Sequence, residues 1–111
     1  MSWFKKNVTP LSPAVEEIRK LAEGQGLTFE EFLVTGVGGA VGKNGVQYLI
    51  DTIEDEGSLY VRQEVLEVAN RKKSDPNKFR EDVDRTVEIK LESQYIPDQE
   101  KSDLRQYRRE R

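Results

Sequence analysis

Apolar residues recur every three or four positions along most of this chain, which is the spacing of an α-helix that buries one face. Between residues 13 and 24 the apolar set consists of Val15, Ile18, Leu21 and Ala22. Ser12 and Pro13 form a pair typical of a helix start, and Gly24 and Gly26 are typical of a helix end. The pattern predicts a first helix between these two pairs.

Two further helices are predicted by the same periodicity and by their ends. Thr28 and Glu31 have the spacing of a capping box. The apolar stripe of this second helix consists of Phe29, Phe32 and Leu33. Asn44 and Gln47 predict the start of a third helix, which Gly57 is expected to end. Its apolar face consists of Val46, Leu49, Ile50 and Ile53.

The segment after Gly57 is predicted to be a fourth helix that starts at Ser58, although Tyr60 and Val61 would also suit a short strand. Its apolar residues are Val61, Val65, Leu66, Val68 and Ala69. Basic side chains at residues 71–73 complement the dipole at the C-terminal end of such a helix.

Asp75 and Pro76 predict the start of the next element. A four-residue repeat typical of a helix is formed by Phe79, Val83, Val87 and Leu91. A two-residue alternation typical of a strand is formed by Val87, Ile89 and Leu91. We favour the helix, and the question whether residues 76–94 are one helix or end in a strand stays open.

Together these elements predict an all-α protein, a compact bundle of four to five short helices with a glycine-rich turn near residues 36–45. Pro97 interrupts the helical pattern, and few apolar residues follow it. We therefore expect a single helical domain over residues 1–96 and a charged C-terminal helix or tail over residues 97–111.

The composition limits which functions are available. Hydrophobic and charged residues each make up 35% of the chain, so the core is lean and the exposed surface large, a balance that suits an oligomer or a larger assembly. The chain has no cysteine and no histidine, which excludes thiol nucleophiles, imidazole acid–base catalysis and ordinary zinc sites. We expect no enzymatic activity, no cofactor and no metal.

The location of the protein is constrained by its uncharged segments. No long apolar run follows Lys5 and Lys6, so the N-terminus does not resemble a signal peptide. The longest uncharged run, residues 32–42, has eleven residues, against the roughly 20 that a membrane-spanning helix needs. We expect a cytoplasmic protein that does not associate with membranes.

The most unusual segment, residues 36–45, contains five of the eight glycines: Gly36, Gly38, Gly39, Gly42 and Gly45. A phosphate-binding loop would explain the cluster, but the spacing fits neither the Walker A pattern nor G-x-G-x-x-G. A membrane-inserting peptide is disfavoured by the neighbouring Glu30 and Glu31. Packing or a hinge explains it better, because small residues let two helices or two subunits approach closely, with a break near residues 42–45.

Two charged clusters are candidate contact sites. Asp51, Glu54 and Asp55 share one face of the third helix and form a candidate acidic docking surface, although one helix offers too few oxygens to hold a metal ion. The candidate nucleic-acid or partner contact at the C-terminus consists of Arg105, Tyr107, Arg108 and Arg109. These side chains could bind phosphates and stack a base, or pair with the acidic residues 51–56 of a second copy.

The sequence therefore predicts a non-enzymatic accessory or structural interaction protein that acts through helix packing within an oligomer or a larger assembly, with a protein partner or self-association. One alternative is a small nucleic-acid-binding regulator that uses the arginine-rich C-terminus. Another is a weak phosphate or nucleotide binder at the glycine-rich loop.

Overall fold

The computed structural model describes residues 13–111, which fold into α-helices joined by short turns, with one π-helical segment and no strand among them. The α-helices are α1 (Pro13–Gly24), α2 (Phe29–Phe32), α3 (Gly42–Glu56), α4 (Ser58–Ser74), α5 (Pro76–Glu92) and α6 (Asp98–Glu110). The π-helix, Leu33–Val37, continues α2 directly. The all-α prediction is confirmed for this part of the chain, with one helix more than the expected four to five.

The chain is compact. The Cα radius of gyration is 13.4 Å, and a folded chain of 100 residues is expected near roughly 13 Å. Helix α4 lies between α1, α3 and α5, while α6 packs on α5. The largest fully buried side chains come from almost every element and include Ile18, Leu27, Phe32, Leu33, Leu49 and Leu104. Leu104 anchors α6 to the core, so the C-terminal residues form an ordered helix against the rest of the molecule.

Several helix ends follow the sequence signals. Helix α1 ends in a Schellman motif, in which Gly26 donates its backbone N–H to Glu23 and Leu27 donates to Ala22, at 3.1 and 3.0 Å. Gly26 has a φ of 82°, which an L-residue adopts only with strain. Gly57 has a φ of 93° and separates α3 from α4.

Two helix starts are also confirmed. The side chain of Thr28 accepts the backbone N–H of Glu31, and the Glu31 carboxylate accepts the backbone N–H of Thr28, which completes the capping box. Asp75 accepts the backbone N–H of Lys78, and Pro76 occupies the first turn of α5. Helix α5 continues to Glu92, so the favoured helical interpretation of this segment is correct.

The predicted caps at Asn44 and Ser58 are wrong. Helix α3 begins two residues earlier, at Gly42, which places Asn44 within its first turn, and α4 begins after Gly57 without a side-chain cap from the described residues. The chain also breaks at residues 38–41 instead of 42–45, because the glycines at 42 and 45 are tolerated in the first turn of α3. The Ser12 cap of α1 lies outside the described residues.

Candidate functional site

The glycine-rich segment packs tightly against its own chain. A Cβ atom at Gly45 would lie 2.5 Å from the carbonyl oxygen of Ala40, and one at Gly38 would lie 2.5 Å from the ring of Tyr48. At Gly36 a Cβ atom would lie 2.6 Å from the ring of Phe32. At these three positions the absent side chain lets the π-helix and the following turn lie directly against buried groups.

Gly39 and Gly42 have a second reason to be glycine. Their φ angles of 71° and 65° lie in the left-handed region, so a side chain would be strained there regardless of space. They reverse the chain between the π-helix and α3, and they lie beside Lys90 of α5 and Asp103 of α6. The five predicted packing residues therefore all lie between elements of one chain.

A buried carboxylate lies close to this turn. Glu100 on α6 is only 5% exposed, and its Oε1 accepts a 2.6 Å hydrogen bond from the hydroxyl of Tyr48. This hydrogen bond, with some burial, raises the pKa of the Tyr48 hydroxyl. Within the described residues Glu100 Oε2 has no hydrogen-bond partner. Asp103 lies beside Gly42, so an acidic side chain borders the turn where a phosphate would have to bind.

The predicted acidic docking residues are all exposed on α3. Asp51 accepts a 2.9 Å hydrogen bond from Gln47 one turn earlier, and Glu54 and Asp55 follow it on the same face. In the part of the chain that the structure describes, no three acidic side chains form a group that could hold a metal ion. The surface is acidic and solvated.

The predicted C-terminal contact residues lie on α6, but they are not equally accessible. The ring of Tyr107 packs against the core, and the Arg111 guanidinium lies 5.5 Å from its centroid. Burial raises the pKa of the Tyr107 hydroxyl despite the hydrogen bond from Arg111. Arg108 is paired with Glu88 at 2.5 Å, whereas Arg105 and Arg109 are exposed and make no ion pair with a described residue.

A groove of about 730 Å³ runs beside these residues, between the start of α2, helix α5 and the end of α6. Its charged lining alternates in sign, with Glu30, Asp84 and Glu110 next to Arg80, Arg108 and Arg111. Arg111 is already paired with Asp84 at 3.2 Å. A surface with both signs so close together attracts a polyanion weakly.

Helix α4 exposes two leucine side chains on a face that is turned away from its buried valines. Leu59 is 70% exposed and Leu66 is 42% exposed. Gln63 and Asn70, which are also exposed, continue the row one turn apart. We call these four residues, Leu59, Gln63, Leu66 and Asn70, the outer seam. It is an uncharged stripe with a 4-3-4 spacing on a helix that is rich in charged residues.

The outer seam was missed at the sequence level because α4 is apolar on two faces. The buried face consists of Val61, Val65, Val68 and Ala69. Leu66 was grouped with these residues, since it follows Val65 directly, but at 100° per residue it lies beyond the edge of the buried face, on the side of Leu59. A heptad register, which places Leu59 and Leu66 seven residues apart, would have separated the two faces.

The sides of the outer seam carry opposite charge. Arg62 lies about 70° to one side of the seam and Glu67 about 70° to the other. Next to Glu67, the pKa of Glu64 is raised, first by its burial and then by the neighbouring carboxyl group of Glu67. This acidic side of α4 therefore contains two carboxyl groups that interact unfavourably when both are ionised.

None of the helices between residues 13 and 111 has the length and apolar character that crossing a membrane requires. Comparisons with protein-family models, with curated proteins and with solved structures find no match to this chain.

Proposed function

We propose that this protein is a non-enzymatic structural or accessory protein that acts through helix packing in an oligomer or a larger assembly, and that its contact surface is the outer seam of α4. The observation that carries the proposal is the pair of exposed leucines one heptad apart. Single exposed apolar residues are ordinary, but two on one uncharged helical stripe expose a face that another helix can cover.

The sequence supports the same proposal. The chain lacks cysteine and histidine, and the tyrosine that lies closest to a buried carboxylate, Tyr48, has its pKa raised instead of lowered, so it is a poorer proton donor and nucleophile. The glycine-rich segment contributes by holding α3, α5 and α6 together behind the contact surface. We place the protein in the cytoplasm, in line with its uncharged runs being short.

The test is chemical crosslinking inside the protein's own cells, before any dilution, which compares the size of the crosslinked wild-type protein with that of a variant carrying Leu59→Glu and Leu66→Glu. We expect the wild-type protein to migrate well above its chain mass of 12.8 kDa and the variant to migrate as a monomer, because two charges on the seam cannot be buried at an interface.

The matched control is Ile89→Glu, which places the same charge on a residue that is 60% exposed. Ile89 lies on α5, in a groove that Thr35 and Arg71 also line, and it is not part of the outer seam. It should leave the native size unchanged. Wild-type protein that stays monomeric after crosslinking in cells, or a seam variant that keeps the wild-type size, would contradict the proposed function.

Nucleic-acid binding is the second candidate, favoured by the two exposed arginines on α6, Arg105 and Arg109. Truncation of the C-terminus would not test it, because α6 also carries the buried Leu104. The double substitution of both arginines by glutamate is the better test. Binding to an oligonucleotide that falls with added salt and is lost in this variant would support the candidate, and unchanged binding would exclude this surface.

A further inference from the structure

The outer seam can be written as two heptads of a parallel helix pair. In heptad terms Leu59 and Leu66 are at position d, which apolar residues occupy in a coiled coil. Gln63 and Asn70 are at position a, where a polar residue specifies the register at a cost in stability, so the apolar contact of such a pair is limited to the two leucines. Helix α4 has 17 residues, enough for two heptads.

From this pattern we infer that the occupant of the outer seam is the outer seam of a second copy of this chain, with the two α4 helices parallel and in register. The inference rests on the proposed function and adds the identity and orientation of the partner. It makes the protein a symmetric homodimer in which each seam contacts the same residues of the other copy.

Charge complementarity selects the second copy and the parallel direction. Arg62 is at position g and Glu67 is at position e of the next heptad. In a parallel pair a g residue lies beside the partner's e residue five positions later, so each Arg62 faces the Glu67 of the other copy, twice per dimer. In an antiparallel pair, g positions lie beside g positions, and these opposite charges do not meet.

The surroundings of Arg62 and Glu67 in the single chain favour an ion pair between the two copies. Within its own chain Arg62 makes one 3.1 Å ion pair with Glu17, and both side chains are at least half exposed. Such a pair is worth little, so Arg62 can turn toward a partner at small cost. On the other side, a partner's guanidinium would relieve the repulsion between Glu64 and Glu67.

The expected dimer is weak. Two heptads cover less than the roughly 1,200 Å² at which standard interfaces begin, so purified protein should be measured from about 1 µM to 1 mM. Sedimentation equilibrium should show a reversible monomer–dimer transition in this range. Arg62→Glu alone and Glu67→Arg alone should each weaken dimerisation at least about fivefold, and the double reversal should restore it, because the exchanged charges attract again.

A crosslink tests the direction independently. The chain has no cysteine, so Asn70→Cys introduces a single thiol. In a parallel in-register pair the two residues at 70 face each other across the seam, and mild oxidation should yield a covalent dimer. In an antiparallel pair centred on the seam they would be about 16 Å apart along the axis, too far for a disulfide.

The outcomes separate this inference from the proposed function. Purified wild-type protein that stays monomeric at 1 mM, a double reversal that remains as weak as the single variants, or failure of Asn70→Cys to crosslink would each overturn the parallel homodimer. If the seam variant nevertheless loses a larger complex in the cell-crosslinking test, the proposed function stands with a different partner. If the wild-type protein is a monomer in both measurements, both fail.

Discussion

At the scale of single residues, the glycines near the π-helix are required by specific neighbours. Gly45 has a backbone carbonyl oxygen, that of Ala40, where its Cβ would be, and a backbone atom cannot move aside as a flexible side chain can. Gly24, at the end of α1, has no atom within 4 Å of the corresponding position. A side chain is therefore sterically excluded at Gly45 but has room at Gly24, which makes Gly24 a suitable control for substitutions at Gly45.

We expect Gly45→Ala to lower the free energy of unfolding by about 1–3 kcal/mol, because the added methyl group overlaps the Ala40 carbonyl. Gly24→Ala should leave stability unchanged or raise it by up to about 1 kcal/mol, since alanine favours the helix. Chemical denaturation of both variants measures the difference. Equal stability of the two would show that the turn repacks freely.

A second constraint at the residue scale connects the capping box to α4. Lys72 donates one hydrogen bond to the Glu31 carboxylate at 2.7 Å and another to the carbonyl oxygen of Gly26 at 2.8 Å. Burial alone would raise the pKa of Glu31, but the hydrogen bonds from Lys72 and from the backbone of Thr28 outweigh it, and the net pKa is lowered. The ionised form of Glu31 is therefore the one that stabilises the fold.

Lys72→Met is expected to cost about 1–3 kcal/mol, because it leaves the half-buried Glu31 carboxylate without its cation. Lys78→Met is the matched control, since its ion pair with Asp82 is long, at 3.6 Å, and exposed. It should change stability by less than about 0.5 kcal/mol. Denaturant unfolding at neutral pH measures both, and an equal effect of the two substitutions would contradict this role of Lys72.

The pH dependence follows from the same carboxylate. Because the folded-state pKa of Glu31 lies below the unfolded value of about 4.3, its stabilisation is complete above about pH 5 and is lost as the pH falls through the folded-state pKa. Lys72→Met removes part of that pKa shift. The variant should lose less stability than the wild-type protein over this acid range, and parallel pH–stability curves would argue against the assignment.

At the scale of elements, the ends of helices were easier to predict than the contacts between them. The capping box at Thr28 and Glu31 and the proline start at Pro76 depend on residues within one turn, so the local sequence determines them. Asn44 was misassigned because Gly42 and Val41 begin α3 without a side-chain signal. A helix start that depends on the backbone conformation of glycine has no polar capping residue by which the sequence would reveal it.

The difference between helix starts with and without a side-chain cap predicts different losses of stability for two similar substitutions. Asp75→Ala should destabilise the protein by about 1 kcal/mol, because the Asp75 carboxylate caps α5 through the backbone N–H of Lys78 at 3.1 Å. Ser58→Ala should have little effect, since Ser58 begins α4 without capping it. Thermal unfolding of the two variants measures both losses of stability. A larger loss for Ser58→Ala than for Asp75→Ala would contradict this prediction.

The π-helix and the outer seam were beyond sequence analysis for physical reasons. In the π-helix the Phe32 ring lies where a Cβ atom of Gly36 would be, a close approach that no periodicity of the sequence reveals. On α4 the sequence shows apolar residues on two faces, and only the packing of α1, α3 and α5 decides that the valine face is buried and the leucine face is not.

At the scale of the whole molecule, Ile89 and Tyr95 are exposed singly, whereas the exposed Leu59 and Leu66 share one uncharged stripe on α4. The glycine turn, the Tyr48–Glu100 hydrogen bond and Leu104 bring α3, α5 and α6 together, so the glycine-rich segment is used within the chain. We therefore propose that the stripe on α4 is the contact surface for another molecule and that the glycine cluster supports the fold.

The most direct test of this central claim is a dilution series of amide nitrogen–proton correlation spectra of the purified protein, from about 1 mM to about 50 µM. We predict concentration-dependent shifts at the outer seam and its flanking charges, residues 59–70 on the exposed side of α4, and none around Ile89. Spectra that do not change with concentration, or that change only outside α4, would contradict it.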